Sequence, residues 1–319
     1  MEEYRFLIVF IDIILPFLLG LWLKRAGLSP EWMRLLIKTN VVPVTTALSV
    51  ISFWSVHLDP VLVLLPLSVI PICFIPVLYF YAFESHRFAD PREKGSYLVS
   101  IMMGNIGTMA GLCGYILFGE SGFAYIQLIG MPQVLIFVLY CFPMAQYYYA
   151  MWKNQGKGER PHLKVREMLF TWNQLPAVGV VIGMTLGYFD VTRPAAVGTA
   201  FSCLIHLSAW LGMISVGYGT SLSGAMRYMR RLWVVFPVKF IMMPLLMYFF
   251  VKCFTDNQQV IACILLASAA PTAIFSVMTA QLYDLSVDLA ESSLLGTTIF
   301  FLFCIYPLVY WYITSGGTF

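Results

Sequence analysis

Three ionisable side chains stand inside long apolar stretches: Asp12, His206 and Lys239. Asp12 follows Phe6 by six residues, and Lys239 follows Arg231 by eight. At 1.5 Å per helical residue they lie roughly 9 Å and 12 Å into their segments. A charge at the centre of a bilayer costs about 2.5–3.5 kcal/mol even on the lower scales, so Asp12 and Lys239 are candidates for coupling or charge compensation. Lys239 can be a fixed cation beside a site or can snorkel to the headgroups. Asp12 can be a structural partner or a proton site, and His206 reads first as a hydrogen-bonded packing residue. Two further runs break the apolar pattern differently. The first, Gly104-Asn105-Ile106-Gly107-Thr108-Met109-Ala110-Gly111-Leu112-Cys113-Gly114, sets glycines three and four apart on one helical face. That face is either a close-packing surface or a point where the helix unwinds. The second, Ala267-Ser268-Ala269-Ala270-Pro271-Thr272-Ala273-Ile274-Phe275-Ser276, must kink or break at Pro271. A broken helix offers N–H groups to anions at one end and carbonyls to cations or protons at the other. The candidate binding residues are therefore Asn105, Gly107, Thr108, Gly111, Pro271, Thr272, Ala273 and Ser276.

Enzymatic chemistry finds no support. The sequence lacks H-E-x-x-H, G-x-S-x-G and the phosphate-binding G-x-x-x-x-G-K-[ST] run. His86-Arg87-Phe88-Ala89-Asp90 fits an acyltransferase H-x-x-x-D pattern but sits in a charged loop, where chance explains it. The seven cysteines are scattered without C-x-x-C, so inert buried thiols are expected. No catalytic residue, cofactor or metal is expected.

The elements that must position these residues follow from composition. Of 319 residues, 60% are hydrophobic and 11% charged, with a mean hydropathy of +0.81. Soluble domains carry about 25% charged residues, so lipid must cover most of this surface. In hydrocarbon only helices or closed barrels satisfy the backbone, and the apolar runs do not alternate as barrel strands do. The spacing predicts an all-α membrane protein of ten transmembrane helices, near 6–23, 33–56, 61–83, 96–118, 122–150, 169–189, 195–221, 232–253, 258–281 and 287–313. Loops after odd-numbered segments hold Lys24, Arg25, Arg34, Lys38, Arg87, Arg92, Lys94, Lys153, Lys157, Arg160, Lys164, Arg166, Arg227, Arg230 and Arg231. The other side holds only Arg5, Arg193 and Lys252. This bias makes the first side cytoplasmic and puts both termini on the other. The N-terminus lacks a basic leader, so the first segment is expected to be a retained helix.

The polar loop 151–168 divides the chain into a first repeat (1–150, segments 1–5) and a second (169–319, segments 6–10). Five segments per half means that the halves enter the membrane in opposite senses, as inverted repeats do. The interrupted runs fall in the fourth segment of each half, the placement that points to a transporter's binding site. Leu15-Pro16 with Gly20, and Leu175-Pro176 with Gly179 and Gly183, echo one another at the start of each half.

Several of these residues resemble the auxin efflux carrier family, which includes plant PIN-type carriers and bacterial permeases assigned to malate or malonate. The resembling pieces are Gly104-Asn105-Ile106-Gly107 followed by Phe118-Gly119-Glu120, and Pro271-Thr272-Ala273 followed by Leu289-Ala290-Glu291-Ser292. Leu15-Pro16-Phe17 through Gly20 to Leu28, the Gly217–Leu222 segment and the surroundings of Lys239 also look like the family. The resemblance implies crossing broken helices 4 and 9, as in sodium/proton antiporters and bile acid symporters. It also implies a scaffold of segments 1, 2, 6 and 7 beside a moving domain. The chain departs from the pattern at Leu112, where the family has proline, and at Phe275, where an asparagine is common. The reading is a secondary carrier, weighted toward efflux, for a small organic anion such as a carboxylate; a membrane solute sensor on the same fold is the alternative. The expected setting is the plasma membrane, multi-pass. The expected partners are an anionic small molecule and membrane lipid, with no nucleic acid; a homodimer is left open.

Overall fold

The computed structural model describes residues 2–56, 59–153, 175–220 and 228–317, apart from the side chains of 2–5 and Arg231. The central loop beyond Lys153, and positions 169–174 of the sixth segment, lie outside the described residues. The helices are α1 (Glu2–Arg25), α2 (Pro30–Trp54), α3 (Pro60–Arg87) and α4 (Pro91–Met102). A long run, Ile106–Lys153, follows; at Gly119 it has φ 68° and ψ −152°, which no helix contains. It is therefore two helices, α5 (106–118) and α6 (120–153), and Gly119 is the residue type that tolerates the reversal. After the central loop come α7 (Leu175–Tyr188), α8 (Ala195–Gly219), α9 (Val235–Lys252), α10 (Gln258–Ser268), α11 (Ile274–Leu282) and α12 (Val287–Thr314). Among the described residues, seven helical runs are long and apolar enough to cross a membrane. The helices Leu175–Tyr188 and Gln258–Ser268 are apolar but shorter.

Lipid-facing stripes are visible along these helices. On α1, Leu7, Ile11, Leu15, Leu18 and Trp22 are all exposed at helical spacing, while Val9, Asp12 and Ile13 are buried. Such a stripe would be a liability in water and is what hydrocarbon requires. Four cysteines are buried, but Cys203, Cys253 and Cys304 are exposed. This corrects the expectation of uniformly buried thiols: a small apolar thiol can sit on an outer surface that faces lipid.

Prolines shape the interiors. Of the five-residue wide turns, Asn40–Val44 contains Pro43, while Phe137–Cys141, Val238–Met242 and Phe301–Ile305 each end two residues before a proline, at 143, 244 and 307. A proline cannot donate to the preceding turn and clashes with its carbonyl, and one inserted residue relieves the clash.

Glycines set the closest crossings. A Cβ on Gly20 would strike the Ile214 carbonyl, and one on Gly217 would strike that of Phe17, so α1 and α8 touch backbone to backbone. On α7, a Cβ at Gly179 would lie 2.8 Å from the Thr46 oxygen, and one at Gly183 2.5 Å from that of Val50, closing α7 onto α2. Helix α8 also contacts α2, which makes α1, α2, α7 and α8 one connected group.

Candidate functional site

The fourth and ninth segments are broken, and they cross at the breaks. Helix α4 ends at Met102; Met103 is extended (φ −89°, ψ 117°) and Asn105 is non-helical (φ −78°, ψ 62°) before α5 begins. Helix α10 ends at Ser268, because Pro271 has no N–H for the Ala267 carbonyl and disfavours α geometry at Ala270. Gly104 and Thr272 face each other as an isolated antiparallel bridge. Across it, Asn105 N–H donates to the Pro271 carbonyl at 2.7 Å, and Ala273 N–H donates to that of Met103 at 3.0 Å. Gln133 Nε2 on α6 donates to the Gly104 carbonyl at 3.1 Å, and Thr272 N–H donates to Thr297 Oγ1 on α12 at 2.9 Å. Thr272 Oγ1 donates to the Ser100 carbonyl at 3.0 Å and lies 3.0 Å from Ser293 Oγ. The backbone groups released by the two breaks thus largely satisfy one another, as buried polar groups must.

This accounting separates the candidate residues. Pro271, Thr272, Ala273 and Ser276 are buried, and Ser276 Oγ turns back to the Ala273 carbonyl at 2.8 Å. Gly111 is buried too; a Cβ there would meet the Phe123 ring at 3.4 Å. Asn105, Gly107 and Thr108 are accessible at the N-terminal end of α5. The Asn105 side chain does not cap α5, and a Cβ on Gly107 would meet nothing within 4 Å. Thr108 faces Gly212 of α8, whose added Cβ would sit 3.3 Å from Thr108 Cγ2 and 3.4 Å from Asn40 Nδ2. Lys239 is 3% exposed, and its Nζ donates to the Met103 carbonyl at 3.2 Å, so it points to the crossing rather than to the headgroups. Asp12 lies elsewhere, on α1, where it meets His206 and Trp210 of α8.

The profile of the membrane transport protein family, which takes in the auxin efflux carriers, matches residues 6–310. This chain belongs to that family. A comparison with curated proteins finds no match. For a membrane transport protein the arrangement has a plain chemical capacity. The first N–H groups of α5 have no partners within the helix, and they open beside a free carboxamide, a bare glycine and a hydroxyl. Among the described residues, no cluster of three or more His, Cys, Asp or Glu side chains is placed to hold a metal ion.

Reading the sequence did not single out several residues that the fold brings to this candidate site of the transport protein. Asn40 and Ser208 bond reciprocally, Asn40 Nδ2 to the Ser208 carbonyl at 3.2 Å and Ser208 Oγ to Asn40 Oδ1 at 2.8 Å, directly opposite Thr108. The signal was Pro43 three residues after a buried asparagine: the wide turn Asn40–Val44 starts there, and such turns cluster at functional sites. Gln133 and Thr297 were invisible singly, since only the crossing gives them a partner.

Proposed function

We propose that this chain is a secondary carrier of a small organic anion, a carboxylate, working by alternating access. The solute would bind where the N-terminus of α5 opens beside Asn105, Gly107 and Thr108, with Asn40 and Ser208 forming the opposite wall. The observation that carries this reading is the crossing itself, which leaves an uncapped helix N-terminus next to an accessible amide inside an apolar protein. Lys239 favours an anion in its protonated form, which would set an ammonium at the same crossing with no described carboxylate to pair with it.

The ten-segment, inverted-repeat plan is part of the proposal. Dividing the long run at Gly119, and counting the short α7 and the broken α10–α11 pair, turns seven long spans into ten. Three correspondences support the repeat. Gln133 and Thr297 each lie ten residues before Pro143 and Pro307, and each bonds one of the two facing bridge residues. The wide turns Phe137–Cys141 and Phe301–Ile305 begin six residues before those prolines, each in the fifth segment of its half. The α1–α8 and α2–α7 contacts pair segments 1 with 7 and 2 with 6, which a two-fold exchanging the halves converts into each other. The basic loops support termini outside the cytoplasm, and the reading takes the plasma membrane as the setting.

The test is flux of labelled carboxylates into proteoliposomes. Asn105→Ala should abolish most of the flux while leaving the thermal midpoint in place. Gly107→Ala, whose methyl has open space, should keep the fold and weaken transport. Undiminished flux in Asn105→Ala removes the site assignment; tight binding with no flux under any gradient favours the sensor.

A further inference from the structure

Asp12 is 5% exposed, and both its oxygens are engaged. Oδ1 accepts from Trp210 Nε1 at 2.9 Å, and Oδ2 lies 2.5 Å from His206 Nδ1. Both partners project from α8 one turn apart, so one helix face clasps the carboxylate. A carboxylate facing Nδ1 selects the imidazole form that carries its hydrogen there, leaving Nε2 as the open nitrogen. The His206 side chain keeps 31% of its surface exposed, against 8% for Asp12, so the route to the pair runs through the histidine. With Nε2 bare, the pair holds one net negative charge inside an apolar span. A proton delivered by hydronium to Nε2 forms one N–H bond, breaks one O–H bond, releases water and leaves a neutral ion pair.

Among the described residues, no other charged side chain pairs with Asp12 or His206. On α5, Tyr115 presents its ring to His206 with centroids 6.1 Å apart, and Cys113 lies nearby in sequence as an uncharged thiol. On α12, Tyr306 stacks on Phe6 of α1 and Tyr310 meets the same ring at a tilt. On α2, Lys38 is exposed and Asn40 is bonded to Ser208. Lys24 of α1 donates to the Thr220 carbonyl at the far end of α8, and Glu120 and Arg193 pair with each other at 2.7 Å beyond its start.

We propose that Asp12 and His206 form a proton-binding site, loaded at Nε2 of His206, which couples proton movement to solute movement. Coupling has a structural seat. His206 belongs to the α1–α8 pair, whereas Tyr115 belongs to α5, the helix whose N-terminus forms the solute site. Proton binding stands without the carrier reading; coupling rests on it.

The experiment has two arms. Protein labelled with ¹⁵N-histidine in nanodiscs is titrated between about pH 5 and 9, the range in which histidine changes charge. His206→Gln assigns the resonance among the four histidines. Nδ1 should remain protonated while Nε2 converts, and Asp12→Asn, a second variant in case the first misfolds, should displace that conversion. An Nε2 fixed in one state across the range overturns the site. In the second arm, carboxylate flux is measured with and without a tenfold proton gradient; the response should vanish in His206→Gln. An unchanged response there overturns the coupling. Absence of any wild-type flux strikes the carrier reading instead, and the titration still decides the proton site.

Discussion

Thr272 shows how little of this crossing is decided by residue type alone. Its N–H goes to Thr297, its hydroxyl to Ser100 and Ser293, and its side chain is fully buried. From the sequence it read as a hydrogen-bonding candidate for the solute, which its chemistry permits; the fold gives that hydrogen-bonding capacity to protein partners. Asn105 differs: the sequence set its amide next to a helix break, and the fold leaves that amide accessible, as a candidate binding residue requires. Thr272→Val keeps the shape and removes the hydroxyl, leaving the Ser100 carbonyl and the Ser293 hydroxyl short of a partner. Stranding buried polar groups costs about 1–3 kcal/mol. The expected result is a lower thermal midpoint in detergent, read by intrinsic fluorescence. An unchanged midpoint would mean that water takes over both bonds and that the region is wetter than its burial indicates.

At the level of elements, apolar runs and charge breaks located the helices well, because a bilayer leaves the chain so few alternatives. Gly119 falls between the predicted segments 96–118 and 122–150, and the broken pairs fall inside 96–118 and 258–281. What periodicity could not show was which helices touch. The glycine stripe 104–114 by itself read first as packing and second as unwinding, and it does both: Gly104 sits in the break, while Gly111 and Gly114 pack against Phe123 and Ile126. The tightest contacts come instead from Gly20 and Gly217, which the sequence offered only as motif fragments. An added methyl at Gly217 has no flexible side chain to displace, only the Phe17 carbonyl. Gly217→Ala should therefore force α1 from α8 and destabilise the protein by ~1–3 kcal/mol, in the manner of other overpacked interiors. Gly219→Ala, one turn-half away with nothing within 4 Å, is the matched control and should leave the melting curve in place.

For the whole molecule, the proposed alternating access would require contacts between the crossing unit and the α1–α2–α7–α8 group to break and re-form. Such contacts include Thr108 against Gly212, Tyr115 against His206, and the ion pair of Glu120 with Arg193. The last is the most diagnostic. Glu120 directly follows the Gly119 reversal between α5 and α6, while Arg193 lies just before α8, so one charge rides on each body. By the basic-loop argument both lie on the outer side. A partly exposed pair of this kind contributes little to stability, which suits a contact that must open on every cycle. Fixing it should stop transport without unfolding anything. With exposed Cys203, Cys253 and Cys304 replaced by serine, Glu120→Cys and Arg193→Cys would be bridged by a short bifunctional thiol reagent added outside. Carboxylate flux should fall to background in the bridged protein and return when a cleavable bridge is reduced. Either single-cysteine variant, treated alike, should keep its flux. Full transport in the bridged protein would mean that the two bodies do not part at this edge, and alternating access would then have to proceed by motion confined to the crossing.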